Sequence, residues 1–374
     1  MSTSSRLVIL SCSVGSGHAR AASALAAWAA ELYPGLAVET RDILEFTSGV
    51  YRRAYRGSYL ALADHAPALW GLMYDTSDRG RVHKRAPLAV RAYDRLEFAG
   101  FRKWLRQQQP TAVLCTHFLP VQVLAHVRGR QAWAGFPLHL VVTDYYAHLF
   151  WAQPGADAIY VANDESVEEM ADRGVKRGVQ ATGIPIVPPF ARPMQRSAAR
   201  AKAGLDDRPV VLLMGGGWGN AGMEKLAEAV LSQGPVQVVA VAGRNPRMQQ
   251  ELAALKVPRH SALKVLGFVD YIHELMAAAD LCVSKSGGLT TAECLAMGLP
   301  MLVPNPIPGQ EERNADYLAE IGAGFKARTP GVLRQKLKRL LADADLRARM
   351  SAAARAHGRP QAAAEILRRV LPSP

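Results

Sequence analysis

The chain has 374 residues, of which 49% are apolar and 21% charged. That is enough for two domains of ordinary size and argues against wholesale disorder. No segment offers the roughly 20 uninterrupted apolar residues needed to cross a bilayer. The opening MSTSSRLVIL reads as a first strand, not a secretory signal. The formal charge of +13 is not gathered into a basic stripe with interleaved aromatics, so nucleic acid is not the expected partner. Cys12, Cys115, Cys282 and Cys294 are scattered, as expected of reduced thiols in a cytosolic protein, and a structural zinc site is not expected.

The first strand is expected at Arg6–Cys12, followed by the loop Ser13–Gly17 and an Ala-rich helix from His18 to Leu32. The alternating glycines bring a substrate close to the helix start, although a plain turn uses the same residues. His18 at a helix N-terminus faces a positive dipole, which lowers its pKa and favours the neutral base. From Phe46 to Phe98 the chain is helical in character, with Tyr51, Tyr55 and Tyr59 on one face and Trp70, Tyr74 and Tyr93 beyond. Such a face with arginine flanks suits an interfacial element; a helix packed on its own domain has the same spacing. Cations concentrate from Arg79 to Arg106 and again in the last helices, a pattern suited to an anionic membrane at about 1 kcal/mol per well-placed cation. A solvated, Arg-rich surface is the alternative.

Short buried strands follow at Ala112–Cys115, Leu138–Thr143 and Ala158–Val161, interleaved with helices, as in a parallel sheet covered on both faces. Just past the second of these, Asp144, His148 and Trp151 lie where open sheets put their ligands. Asp144 and His148 could equally pair with one another and only hold the loop. The proline-rich stretch from Gly183 to Phe190 marks a connector, with the boundary near residues 184–200. A second α/β half then has strands at Pro209–Met214, Val236–Val241, Leu263–Leu266, Leu281–Val283 and Met301–Val303.

Its glycine run Gly215–Gly219 offers backbone donors to a phosphate or sugar, but no Gly-Lys-Ser/Thr follows, so it is not a P-loop. Arg244 follows the next strand, placed to meet a phosphate or base. Ser286-Gly287-Gly288 opens a helix at which free N–H groups favour an anion, with Thr290 and Glu293 in its first turns. Glu293 is placed to accept from a ribose diol. Gln310, Glu311 and Asn314, after Pro308-Gly309, suit the uncharged hydroxyls of a sugar. A capped α/β unit without a ligand is the plain alternative.

Taken in order, these blocks resemble the glycolipid-forming GT-B glycosyltransferases of the monogalactosyldiacylglycerol synthase and processive diacylglycerol glucosyltransferase family. More distantly the chain is similar to the peptidoglycan lipid II N-acetylglucosaminyltransferase. The likeness runs from residue 6 to about 330. It rests on Gly15-Ser16-Gly17-His18, Asp42–Phe46, Val142-Thr143-Asp144 with His148 and Trp151, and Thr182–Ile186. In the second half it rests on Met214–Gly217, Gly243-Arg244-Asn245, Gly267-Phe268-Val269, Ser286-Gly287-Gly288 with Glu293, and Pro308–Glu311 with Asn314.

The resemblance implies two Rossmann-like, doubly wound α/β domains facing a cleft: an acceptor domain at 1–190 and a nucleotide-sugar domain at 191–355. A C-terminal helix at 356–374 is expected to return to the first domain. It implies a UDP-sugar donor and inverting transfer of glucose or galactose to diacylglycerol, without a covalent intermediate, cofactor or metal. His18 is the expected base, with Asp144 supporting it and Gly17, His148, Trp151, Tyr51, Tyr55 and Trp70 on the acceptor side. Phe268 and Val269 would present backbone to the uracil, Glu293 would hold the ribose, and Ser286, Gly287 and Gly288 would meet the diphosphate. Gly217, Arg244 and Thr290 would complete that region, and Gln310, Glu311 and Asn314 would hold the hexose. The expected location is cytoplasmic, peripheral on the inner face of the membrane. Trp218, bulky for its loop, departs from the family pattern and bears on the donor pocket and which sugar fits; the Asp144–His148 run also departs and leaves acceptor choice open. Other lipophilic acceptors, such as a polyprenyl-linked sugar or carotenoid, and UDP-sugar 2-epimerisation are the alternatives.

Overall fold

The computed structural model describes residues 5–55, 57, 67–78, 96–125, 127–128, 131–192, 194–215 and 222–371, with backbone alone for 67–70. The chain divides into two compact units. One runs to Pro188 and takes in Pro308–Gln310 and the segment from Pro360; the other holds Pro189–Ile307 and Glu311–Arg359.

The first unit is built on six parallel strands: β1 (Arg6–Ser11), β2 (Ala37–Asp42), β3 (Ala112–Cys115), β4 (Leu138–Val141), β5 (Ala158–Val161) and β6 (Val179–Ala181). Their order is β2-β1-β3-β4-β5-β6. Helices α1 (Gly17–Leu32), α2 (Pro67–Ser77), α3 (Ala99–Gln108), α4 (Phe118–Ala125) and α5 (Asp164–Asp172) connect them. The four inner strands are buried almost throughout, which explains their unbroken apolar runs. Ala-rich α1 presents Ala21, Ala22, Leu25 and Ala29 to the interior at helical spacing, and Trp28 donates its indole N–H to the Ile186 carbonyl at 2.9 Å.

The second unit repeats the plan with β7 (Val210–Met214), β8 (Gln237–Val241), β9 (Ala262–Leu266), β10 (Leu281–Ser284), β11 (Met301–Pro304) and β12 (Gly324–Ala327), ordered β12-β11-β10-β7-β8-β9. Its helices are α6 (Arg196–Ala203), α7 (Met223–Leu231), α8 (Pro246–Ala253), α9 (Ile272–Ala278), α10 (Gly288–Met297), α11 (Gln310–Glu320), α12 (Pro330–Ala342) and α13 (Ala344–His357). The last helix, α14 (Ala362–Val370), belongs to the first unit and packs on α1.

In each sheet the strand order reverses direction beside the unit's first strand. The reversal falls between β1 and β3 in the first unit and between β7 and β10 in the second. At such a point the loops at the strands' carboxyl ends diverge to opposite faces and leave a crevice for a ligand. All four cysteines are buried and none is in a disulfide among the described residues. Among the described residues no helix is long and apolar enough to cross a membrane.

Candidate active site

In the first unit the reversal point carries His18. The loop from β1 to α1 turns through Gly15, whose φ of 85° favours glycine, and His18 enters the first turn of α1 half-buried. Its Nδ1 lies 2.9 Å from the Thr116 carbonyl and 3.1 Å from the Thr143 hydroxyl, while the Thr116 hydroxyl donates to the His18 carbonyl at 2.9 Å. A carbonyl oxygen only accepts, so Nδ1 carries the proton and Nε2 keeps its lone pair. Burial lowers the ring's pKa to about 4, partly opposed by the Thr116 bond. Desolvation, the larger of the two effects, thus favours the neutral ring.

Beside it stands His117, edge-on at 4.7 Å between ring centres. The Leu119 N–H donates to its Nδ1 at 3.1 Å, so this ring takes the opposite tautomer. Burial and the neighbouring His18 hold its pKa well below the ordinary value. An aromatic wall continues from there: Phe118 stacks on His117 at 4.1 Å, Trp151 lies 5.8 Å from His18, and Phe150 lies 5.4 Å from Phe118. Thr116 and His117 escaped notice in the sequence, although they follow β3 as Asp144 follows β4. The same strand-end rule points to both positions.

The loop from Asp144 to Trp151 is fastened from below. Asp144 is buried. His148 is also buried, and its partner is not Asp144, the pairing considered from the sequence. Its Nε2 lies 3.0 Å from the Tyr74 carbonyl, its Nδ1 accepts from the Phe150 N–H at 3.1 Å, and the Asp78 carboxylate stands 3.8 Å away. Burial pushes the Asp78 carboxyl up, but bonds from Tyr146, Arg173 and the Leu149 N–H outweigh it and hold it below the ordinary value.

Glu169 accepts from the Ala147 N–H at 2.7 Å. Burial drives its carboxyl up to about 7, against the pull of that N–H and of Arg173. With a folded pKa above the ordinary 4.5, its contribution to stability is full below that value and is lost as pH rises through about 7. Glu169→Gln keeps the acceptor for Ala147 without the charge. It is expected to raise stability by about 1–2 kcal/mol at pH 8 and to change little at pH 4. Denaturant unfolding at both pH values checks this, and an equal gain at both would remove the titration from the explanation.

Tyr51 and Tyr55 are half-buried, stack at 5.7 Å and pack on the first unit's core, with Tyr51 edge-on to Phe98. Their flank Arg52 donates to the carbonyls of Leu44, Glu45 and Thr47. For Tyr51 and Tyr55 the packing is that of a helix on its own domain, the alternative to the interfacial reading. Exposed apolar side chains occur beside it at Val50 and Leu96, and further on at Leu72 and Met73 on α2 and at Phe150. Tyr59, Tyr93, the cations Arg79 to Arg95 and the side chain of Trp70 lie outside the described residues. So do Gly217, Trp218 and their neighbours at 216–221.

In the second unit the predicted donor residues gather at the carboxyl ends of its strands. Gly287 caps α10, and a Cβ built there would meet nothing within 4 Å, so packing does not require the glycine and the helix start is open. Thr290 is half-buried in the first turn, and Glu293, one turn in, is buried. After β8 and β9, the Arg244 guanidinium lies 4.4 Å over the exposed Phe268 ring, and half-buried Val269 follows. That stacking places Arg244 beside the expected base region.

Ser286 and Asn314 carry hydrogen bonds within the fold. The Ser286 hydroxyl donates to the Glu311 carbonyl, and the Asn314 amide donates to the Ser286 carbonyl at 2.8 Å; both residues are fully buried. They join the β10–α10 loop to α11. Gln310 opens α11 half-buried. Glu311 accepts from the Ile307 N–H at 3.2 Å and lies 3.3 Å from the Lys285 ammonium. Lys285 adds a cation to the loop that the family resemblance assigns to the diphosphate. Its position between Ser284 and Ser286 is the signal that marks it.

The model for monogalactosyldiacylglycerol synthase matches residues 18–186, and that for the glycosyltransferase family 28 C-terminal domain matches residues 210–366. Among solved structures, MurG of Acinetobacter baumannii superposes with a TM-score of 0.65 at 18% identity, over 98% of this chain and 99% of that one. MnaA of S. aureus, solved with UDP, superposes at 0.63 and 13% identity, over 98% and 96%. Two Rossmann-like units with sites at their strands' carboxyl ends thus define a GT-B protein.

Two curated relatives narrow this further. The processive diacylglycerol beta-glucosyltransferase of Bacillus subtilis (strain 168) is 28% identical over 354 residues, 94% of this chain and 90% of its own. That of Bacillus mycoides (strain KBAB4) is 30% identical over 270 residues, 71% and 69%. The chain belongs to the monogalactosyldiacylglycerol synthase and processive diacylglycerol glucosyltransferase family of glycosyltransferases.

Proposed function

We propose that the protein transfers a hexose, glucose or galactose, from a UDP-sugar to diacylglycerol at a membrane surface, with inversion at the anomeric carbon. The observation that carries the reaction type is His18, neutral and locked by Thr116 with Nε2 as its lone-pair nitrogen. Nε2 takes the acceptor's hydroxyl proton as the oxygen bonds to the anomeric carbon and the bond to the diphosphate breaks, releasing UDP. The open start of α10, together with Lys285 and Arg244, supplies positive potential for the departing diphosphate, so no metal is needed in this scheme. Phe150, exposed at the aromatic wall, and Leu72 and Met73, exposed on α2, support an apolar acceptor and contact with a lipid surface.

The test is UDP release with diacylglycerol in anionic vesicles across a panel of UDP-hexoses, following the lipid product by mass. A glycosylated diacylglycerol is the expected product. UDP release that ignores the lipid would move the search to other acceptors, and interconversion of free UDP-sugar would replace transfer with epimerisation.

A further inference from the structure

Asp78 follows directly on α2, and its carboxylate is nearly buried among groups from two other segments. Arg173, at the end of α5, approaches it with two nitrogens: Nη2 lies 3.1 Å from Oδ1 and 2.9 Å from Oδ2, and Nε lies 3.3 Å from Oδ1. Arg173 is itself anchored, since Nη1 donates to the Glu169 carbonyl at 2.9 Å. The loop after β4 supplies the remaining partners. The Leu149 N–H donates to Asp78 Oδ1 at 2.7 Å, the Tyr146 hydroxyl donates to the same carboxylate, and Arg173 Nη2 reaches that hydroxyl at 2.8 Å. His148 adds its bond to the Tyr74 carbonyl and ring contact with Tyr74 at 4.1 Å.

The junction between α2 and this loop is therefore polar and closed. A buried ion pair adds little net stability over an apolar pair of similar size, while breaking one partner is costly. What the pair does provide is direction: a bidentate fork and a fixed N–H leave one arrangement, whereas apolar side chains slide. On one side of the junction, α2 carries exposed Leu72 and Met73. On the other, the loop carries Asp144 and ends at Trp151, which borders His18.

We propose that Asp78 and Arg173 are positioning residues for the acceptor, holding α2, where Leu72 and Met73 meet the acyl chains, in register with the loop that places Trp151 beside His18. This rests on the reading of the acceptor as a lipid alcohol. A long-chain acceptor engages both sides of the junction and depends on their alignment. A short-chain one is held mainly near its reacting hydroxyl.

The experiment compares the full-length protein with Asp78→Leu/Arg173→Met, which removes both charges and leaves neither partner buried alone, and with Asp78→Asn as a second, milder variant. Circular dichroism, melting temperature and UDP affinity establish that each variant folds. Rates are then measured with dioleoylglycerol and dihexanoylglycerol in the same mixed micelles. The expected result is a fall of at least about 10-fold in the ratio of kcat/KM for the long acceptor over the short one, in the double variant and in the single. Equal losses on both acceptors in a folded variant, or no loss on either, would overturn the proposal while leaving the transferase reading intact. Failure of the unaltered protein to glycosylate either diacylglycerol would overturn the acceptor reading, and the proposal with it.

Discussion

His18→Ala is expected to lower kcat by at least about 100-fold while leaving the affinity for UDP within about twofold, because the loss falls on proton transfer and not on donor binding. Nδ1 is committed to the Thr116 carbonyl, so Nε2 must be the lone-pair nitrogen, and Thr116 holds the ring from both ends of the residue. The alanine variant removes the acceptor of the hydroxyl proton without touching any residue assigned to the donor. The pH profile gives a second reading. Protonation abolishes the lone pair, and burial sets that protonation at about 4 in the free protein. The acid limb of kcat/KM due to this group should therefore fall as pH drops through about 4, not through the ordinary 6.5. Pre-steady-state rates and UDP titration decide the matter. A variant that binds UDP poorly yet turns over normally at saturation would remove His18 from the base's role.

The sequence exposes the middle of both sheets more clearly than their edges, for a physical reason. Inner strands are covered on both faces and must be apolar throughout, so β3, β4, β5, β7, β8 and β10 stand out as unbroken runs. The edge strands β2, β6 and β12 went unrecognised. In β2, Glu39, Thr40 and Arg41 reach solvent, while β6 and β12 are short and half-buried. Edge strand β9 was recognisable because its ALKVL keeps enough apolar character.

The same contrast governs the sites. Positions set by backbone course, such as His18, Asp144, Arg244 and Glu293, follow from strand ends and helix starts. Directions of side chains do not. Tyr51 and Tyr55 recur every four residues whether their face meets lipid or the protein's own core, and only packing against Phe98 decides it. Ser286 and Asn314 have the chemistry of ligand-binding residues, but their hydrogen bonds run between segments 28 residues apart. Periodicity within one element carries no information about such a bond. The Asp78–Arg173 pair, 95 residues apart, is invisible for the same reason.

The remaining large effect belongs to Glu293. The α10 helix starts at Gly288 behind an open Gly287, and Glu293 follows five residues later with only 2% of its surface exposed. A carboxylate there can accept from both hydroxyls of a ribose while the helix start meets the diphosphate. Glu293→Ala is expected to weaken UDP by about 1–3 kcal/mol, a factor of roughly 5 to 150 in Kd. Because removing a buried group also disturbs packing, the loss in affinity alone does not establish a contact. A double cycle with 2′-deoxy-UDP separates the two effects. The unaltered protein should lose affinity on removal of the 2′-hydroxyl, whereas the alanine variant should bind UDP and its deoxy analogue almost equally. If the variant still discriminates between them as strongly as the parent does, the ribose is held elsewhere and Glu293 serves the fold of α10 alone.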